Sequence, residues 1–184
     1  MTKQTQSKIS VIKATIDHIP RITEIYAHHV LYGLASFEET PPSEGEMTRR
    51  LNTITKDSYP YIVAVDETGT VLGYGYLSSF RPRPAYRFTV ENSVYIDQHW
   101  LSRGIGKKLL KALIVEATKL GFRQMIAVIG DSDNAASIGL HRAFGFTDCG
   151  INPAVGLKFG RWVDSVTMQL PLGDGAKTLP EHSF

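Results

Sequence analysis

The stretch from Phe88 to Gly121 most narrows what this chain can fold into. FTVENSVYID (88–97) is dominated by β-branched and aromatic residues and reads as a strand. Residues 98–103 read as a connecting loop. From Gly104 to Leu120, apolar residues recur at helical spacing through Ile105, Leu109 and Leu113, and Gly121 stops the helix. Strand, glycine loop and helix in 34 residues form one unit that must pack on a sheet. The junction, Ser102-Arg103-Gly104-Ile105-Gly106-Lys107, places two glycines at a helix start. There, backbone N–H groups can approach an anion closely, and the helix dipole adds attraction. The loop is neither a Walker A sequence nor G-x-G-x-x-G, because Leu109 stands at the third glycine position. Taken alone, it also reads as a helix start that merely tolerates glycine.

Other elements follow on both sides. Ile9 and Val11 alternate with polar residues and predict a first strand. Asp17 is placed to cap a helix reaching about Tyr32, with Ile19, Ile22, Ile25, Tyr26 and Val30 on one face and Gly33 as its stop. Ser43 and Glu46 form a capping box before a second helix. Tyr61 to Val65 and Val71 to Leu77 predict a hairpin about Glu67-Thr68-Gly69. Arg81-Pro82-Arg83-Pro84 must be a loop, since prolines remove ladder donors. Met125 to Ile129 predicts a buried strand and Asn134 to Phe144 a helix. Phe146 to Gly150 and Trp162 to Leu170 predict the closing strands. The fold class is mixed α/β of the α+β kind, and its order is not that of a doubly wound Rossmann sheet.

The chain has 184 residues, which suits one domain. Residues 1–7 are expected to be a disordered arm, 8–172 the single domain, and 173–184 a C-terminal tail. Cys149 is the only cysteine, which excludes an internal disulfide framework and a Cys-rich zinc site. Lys and Arg number 20 against 18 Asp and Glu, so no global field favours a nucleic-acid partner. No apolar run reaches the ~18 residues of a membrane span, and MTKQTQSK lacks a signal-peptide core. A cytoplasmic protein with no membrane or nucleic-acid partner is expected.

Two further segments carry chemistry. Asn134, Ser137 and His141 fall a turn apart on one helix face. Read without context, Asn134 is a helix cap and His141 a surface histidine. Glu91 sits inside an apolar strand. Turned to solvent it is ordinary; turned into a cleft, its pKa rises and it becomes a usable base.

Together these segments resemble the GNAT superfamily of N-acetyltransferases. The closer resemblance is to its phosphinothricin and methionine sulfoximine or sulfone acetyltransferase group. TVENSVYI (89–96), IGKKLL (105–110), AVIG (127–130), NAASIGLHRAFGF (134–146) and VGLKFGRWVD (155–164) carry it, with Ser36-Phe37-Glu38 and Gly73-Tyr74-Gly75-Tyr76 in support. The similarity spans about residues 8–171. Leu101 stands where the superfamily's glycine signature opens with Gln or Arg. His141 stands where many members have tyrosine, and the closer group has histidine.

The resemblance implies a mostly antiparallel sheet, splayed between the strands at 88–97 and 125–130 and flanked by helices. It implies acetyl transfer from acetyl-CoA, with no metal, to the α-amino group of a small amino acid such as phosphinothricin, methionine sulfoximine or methionine sulfone. Pantetheine contacts fall to Val94, Tyr95, Ile96, Asn134 and Ser137. Pyrophosphate contacts fall to Ser102, Arg103, Gly104, Ile105, Gly106 and Lys107. Glu91 and His141 become the catalytic pair, either as base and thiolate acid or with His141 as base and Glu91 as its helper or as the holder of the ammonium. A backbone N–H near Tyr95 or Ile96 would meet the oxyanion. Phe37, Glu38, Phe80, Arg81 and Tyr86 would shape the substrate site, with Arg83 and Arg87 weaker choices. Lys158 and Trp162 match the group's K-F-G-R-W segment. Members of the group are commonly homodimers. Two other functions compete: an acetyltransferase on this fold for a polyamine, aminoglycoside or protein N-terminus, and a non-catalytic acyl-CoA sensor.

Overall fold

A computed structural model describes residues 8–180. The arm expected at 1–7 and the end of the tail at 181–184 lie outside these residues. Seven strands occur among the described residues, in the order β1-β2-β3-β4-β5-β7-β6. They are β1 (Ser10–Lys13), β2 (Tyr61–Val65), β3 (Val71–Ser79), β4 (Thr89–Ile96), β5 (Gln124–Gly130), β6 (Thr147–Lys158) and β7 (Arg161–Pro171). Only β4 and β5 pair in parallel; every other pairing is antiparallel. Four helices accompany them: α1 (Ile19–Tyr32), α2 (Glu44–Lys56), α3 (Ile105–Lys119) and α4 (Ala135–Arg142).

Each sheet face has its own core. On one face α3 buries Ile105, Leu109, Leu110 and Leu113 against Leu72, Leu77, Val90 and Met125. On the other, α1 and α2 bury Ile22, Ile25, Val30, Met47 and Leu51 against Val63, Tyr74 and Tyr95. β2 contributes to both faces, which explains its unbroken apolar run YIVAV.

Several element ends differ from expectation. Asp17 does not cap α1. It lies in a single 3₁₀ turn, Ile16–His18, which the Thr15 and His18 side chains close together, and α1 begins afterwards with Pro20 in its first turn. Ser43 does cap α2, accepting from the Glu46 N–H. The Glu46 carboxylate turns instead to Arg49 and Arg50, so only half of the capping box forms. β6 runs on to Lys158, well past Gly150, with two register breaks where it bends against β7. The first part of the tail is pinned: Arg123 donates to Thr178 Oγ1 and to the Leu179 carbonyl, and pairs with Asp174.

Leu113 is fully buried between α3 and the sheet. Leu113→Ala is expected to lower unfolding free energy by about 2–5 kcal/mol, measured by urea denaturation.

Candidate functional site

The site begins where the sheet parts. β4 and β5 pair only from Thr89–Gln124 to Asn92–Ala127. Beyond that point β4 continues to Ile96 against β3, while β5 continues to Gly130 against β7. The Asp97 N–H donates to the Leu72 carbonyl, which fixes the alternation of the β3–β4 ladder. Residues 91, 93 and 95 therefore turn their backbone groups to β3, and 92, 94 and 96 turn theirs toward β5. With β5 gone, the polar groups of Val94 and Ile96 face a cleft. Tyr95 does not: its backbone pairs with Tyr74, and its ring packs against Tyr26 and His29. The backbone donor expected near Tyr95 or Ile96 thus falls to Val94 or Ile96.

The cleft holds about 1700 Å³. All eleven residues expected to touch the cofactor line it, and so does His141. Its floor is β4 and β5, and one end is the start of α3. There Ser102 and Gly104 both take left-handed backbone conformations, φ 60° and 77°. Gly104 is the N-cap, so the N–H groups of Ile105, Gly106 and Lys107 belong to the unpaired first turn of α3. A Cβ on Gly106 would press on Leu140 of α4. This glycine therefore lets the two helices approach, besides baring its N–H. Leu101 also lines the cleft and is largely exposed. A group bearing a pyrophosphate and an extended amide arm fits these walls: orphan helix N–H groups at one end, unpaired strand groups in the middle.

Asn134 is a true cap. Its Oδ1 accepts from the Ser137 N–H, and its Nδ2 donates to the Gly130 carbonyl at 3.4 Å. His141, by contrast, is no surface residue; it is 5% exposed. Its Nε2 lies 3.1 Å from Asn92 Oδ1, and its Nδ1 lies 2.8 Å from the Ser137 carbonyl. Asn92 Nδ2 donates to the Ile126 carbonyl, which turns Oδ1 toward the imidazole. Both ring nitrogens thus face acceptors. Burial lowers the pKa of His141, and the Ser137 carbonyl opposes that. The neutral ring satisfies one acceptor at a time; the protonated ring satisfies both.

Glu91 and Asn92 are neighbours on β4 and point to opposite faces. Glu91 shares the α1/α2 face with Tyr76 and Ser93, and burial alone raises its pKa. The structure therefore separates the two catalytic candidates. Asn92 and Ser137, not Glu91, are the partners of the His141 ring.

The five substrate candidates form two groups. Phe80, Arg81 and Tyr86 meet in the loop before β4. The Arg81 guanidinium lies 5.0 Å from the Phe80 ring centroid and 5.4 Å from that of Tyr86, and it donates to the Tyr86 hydroxyl at 3.3 Å. Phe37 and Glu38 sit on the loop after α1. Phe37 lies flat against Gly156 and beside Gly130, where a Cβ would collide with Phe37 at the first and with the Leu34 carbonyl at the second. Glu38 takes both arms of Arg50, at 2.8 and 3.3 Å, and accepts from the Tyr26 hydroxyl. Its charge is balanced within the protein. None of the five lines the large cleft.

Three residues matter that sequence reasoning did not single out for these roles. Lys158 is 2% exposed and donates to the carbonyls of Gly33 and Ser36, which fastens the Phe37 loop to β6. His29 donates from Nε2 to the Ile96 carbonyl at the cleft wall, and burial lowers its pKa. Asn92 was legible as a polar residue on the core-facing parity of an apolar strand; His29 carried no such signal. No group of three metal-ligating side chains occurs among the described residues.

Residues 14–167 match the acetyltransferase (GNAT) domain family. The chain is 51% identical over 165 residues to the phosphinothricin N-acetyltransferase of Alcaligenes faecalis, covering 90% of this chain and 83% of that one. It is 42% identical over 171 residues to an L-methionine sulfoximine/L-methionine sulfone acetyltransferase of Pseudomonas aeruginosa, covering 93% and 98%. The crystal structure of a GNAT phosphinothricin acetyltransferase from Sinorhizobium meliloti, in complex with acetyl-CoA, superposes with a TM-score of 0.92 at 51% identity, covering 95% and 94%.

His29 and His141 both have lowered pKa values, so in each the unfolded chain binds protons more readily. Stability is therefore expected to fall as pH drops below about 6.5 and to level off below the folded pKa values. Urea midpoints across this range should show the fall, and His141→Gln should reduce its size.

Proposed function

Since the chain belongs to the GNAT acetyltransferase family and is an N-acetyltransferase using acetyl-CoA, we propose that it acetylates the α-amino group of a small amino acid. The acceptor carries a tetrahedral oxygenated centre, as in phosphinothricin, methionine sulfoximine or methionine sulfone. The parting of β4 and β5 beyond Asn92 carries this proposal. It opens a slot in which strand N–H and C=O groups await an extended amide partner, with an anion site at its end.

The residues divide the work by sheet face. On the α1/α2 face, Glu91 takes a proton from the acceptor's ammonium, and its raised pKa makes it a stronger base than an ordinary carboxylate. The amine nitrogen then bonds to the acetyl carbon, and the carbonyl oxygen gains charge. A backbone N–H of Val94 or Ile96 donates to that oxygen. The C–S bond breaks as the carbonyl reforms. On the α3/α4 face, the His141 ring in its protonated form donates the Nε2 proton to the departing sulfur and is left neutral, with its Nδ1–H on the Ser137 carbonyl. Asn92 keeps Nε2 at the fork. The amide nitrogen gives its second proton to water. The opposite placement of Glu91 and His141 supports base and acid in separate roles, over a histidine base helped by Glu91. Arg81, held between Phe80 and Tyr86, supplies a guanidinium for the acceptor's carboxylate. Phe37 closes the site from the outer edge. The single domain proposed for 8–172 contributes every one of these residues.

Acetyl-CoA with methionine sulfone or phosphinothricin should release thiol, read continuously with a thiol reagent. A panel in which polyamines or aminoglycosides react and these amino acids do not would overturn the substrate class. Glu91→Gln is expected to lower kcat by about 10²–10⁴ without weakening acetyl-CoA binding. The acid limb of the wild-type pH profile should have its midpoint above 4.5, because Glu91 must be ionised to act. That limb should vanish in Glu91→Gln.

A further inference from the structure

The peptide between Ile96 and Asp97 joins the two halves of the cleft. Before it lie the open strand groups of Val94 and the Ile96 N–H. After it the chain makes one 3₁₀ turn, Gln98–Trp100, and reaches the glycine loop at the start of α3. A molecule with an amide arm along β4 and a pyrophosphate at α3 straddles this peptide. Its position therefore sets the spacing between the two parts of the site.

The peptide is held from two sides. Its N–H, on Asp97, donates to the Leu72 carbonyl of β3 at 3.0 Å. β5 has already left β4 here, so no strand pairs the Ile96 carbonyl. His29 of α1 does so instead, donating from Nε2 at 2.8 Å. The His29 ring packs on Tyr95, with centroids 5.4 Å apart, which limits its swing. α1 reaches the junction a second time. Arg21, about two turns before His29, pairs with the Asp97 carboxylate, which is 1% exposed. The same carboxylate accepts from the His99 N–H at 2.7 Å and so starts the turn toward the anion loop.

The end of α1 also serves β5. The Leu34 carbonyl occupies the place of a side chain on Gly130, where β5 ends. Lys158 holds the carbonyls of Gly33 and Ser36 to either side. α1 and the loop after it thus bridge the mouth of the parted strands, and His29 and Ala35 line the cleft there.

We propose that His29 is a positioning residue for acetyl-CoA. By holding the Ile96 carbonyl it fixes the Ile96–Asp97 junction, so that the arm site on β4 and the anion site at α3 lie at a spacing one molecule can bridge. Two tethered groups bind together only when the spacing of their sites matches the tether. Without the clamp the junction must be ordered on binding, and that ordering weakens affinity. The proposal rests on the slot and anion site of the proposed function.

The test compares the wild type with His29→Leu, which loses the donor, and His29→Gln, whose amide nitrogen reaches the same carbonyl. In the ligand-free protein the Asp97 N–H is expected to exchange its hydrogen faster in His29→Leu and at the wild-type rate in His29→Gln. Acetyl-CoA affinity, measured by calorimetry, is expected to fall about tenfold in His29→Leu, the effect of ordering about one backbone residue, and to recover in His29→Gln. ADP, which reaches only the anion site, is expected to compete with acetyl-CoA equally well in all three. Unchanged Asp97 exchange or unchanged acetyl-CoA affinity in a folded leucine variant overturns the proposal. So does a parallel loss of ADP affinity, since His29 then supports the anion loop as a whole. ADP that fails to compete in the wild type overturns the anion site and the proposal with it, while the acetyltransferase assignment stands. Should the leucine variant fail to fold, His29→Asn, whose amide falls short of the carbonyl, must show the same loss of acetyl-CoA affinity; if it does not, the positioning role is wrong.

Discussion

The site depends on the loss of one strand pairing. A parallel pair that ran the full length of β4 and β5 would leave no backbone group unsatisfied and no slot. Here the pair ends after four residue pairs, at Asn92 and Ala127. Buried backbone groups without partners are rare in folded proteins, so the strand groups of Val94 and Ile96 left in the cleft, apart from the Ile96 carbonyl that His29 holds, are an opening for a ligand that brings its own amides. Side chains sit at the fork itself. Asn92 ties β4 to the Ile126 carbonyl of β5, and His141 of α4 docks on the same amide. The last hydrogen bonds across the fork also aim the imidazole.

The two-residue period of a strand then decides how the chemistry is shared. Asn92 and Glu91 are adjacent in sequence yet open onto different cores. The histidine belongs to the face covered by α3 and α4, where the cleft runs to the α3 N-terminus. The carboxylate belongs to the face covered by α1 and α2, among tyrosines. The sheet keeps the Glu91 carboxyl and the His141 ring apart, so each is shifted by its own burial and not by the other. Burial moves both toward neutrality, raising Glu91 and lowering His141.

The outer wall rests on a buried cation. Lys158 reaches from the end of β6 to two carbonyls of the loop after α1. That contact holds Phe37 against Gly156, where a Cβ would collide with its ring, and beside Gly130, where a Cβ would strike the Leu34 carbonyl. Loop, β5 and β6 are thereby one surface. Glu38, beside Phe37, is held by Arg50 and Tyr26 and links that surface to α2.

Much of this was legible in the order of residues. The β4–loop–α3 unit, the helix stops at Gly33 and Gly121, the Ser43 cap and the β2–β3 hairpin follow from local periodicity and turn chemistry, which act within a few residues. So did the run of cleft residues from Ser102 to Lys107, because a helix N-terminus carries its own unpaired donors. Local rules also misled. Asp17 looked like a cap, but Thr15 and His18 closed the turn first, and β6 was cut short at Gly150 because bends in its register hide its period. Tertiary structure alone decided three things: the point at which β4 leaves β5, the faces on which Glu91 and His141 stand, and the partners His141 meets. Each depends on contacts between residues far apart in the chain, as Asn92 is from His141 and Gly33 from Lys158. The sequence by itself determined which groups could do the chemistry, because side-chain type and local spacing are written in it. Only the packed sheet decided which of them meet, because register and facing are set by partners that no local stretch contains.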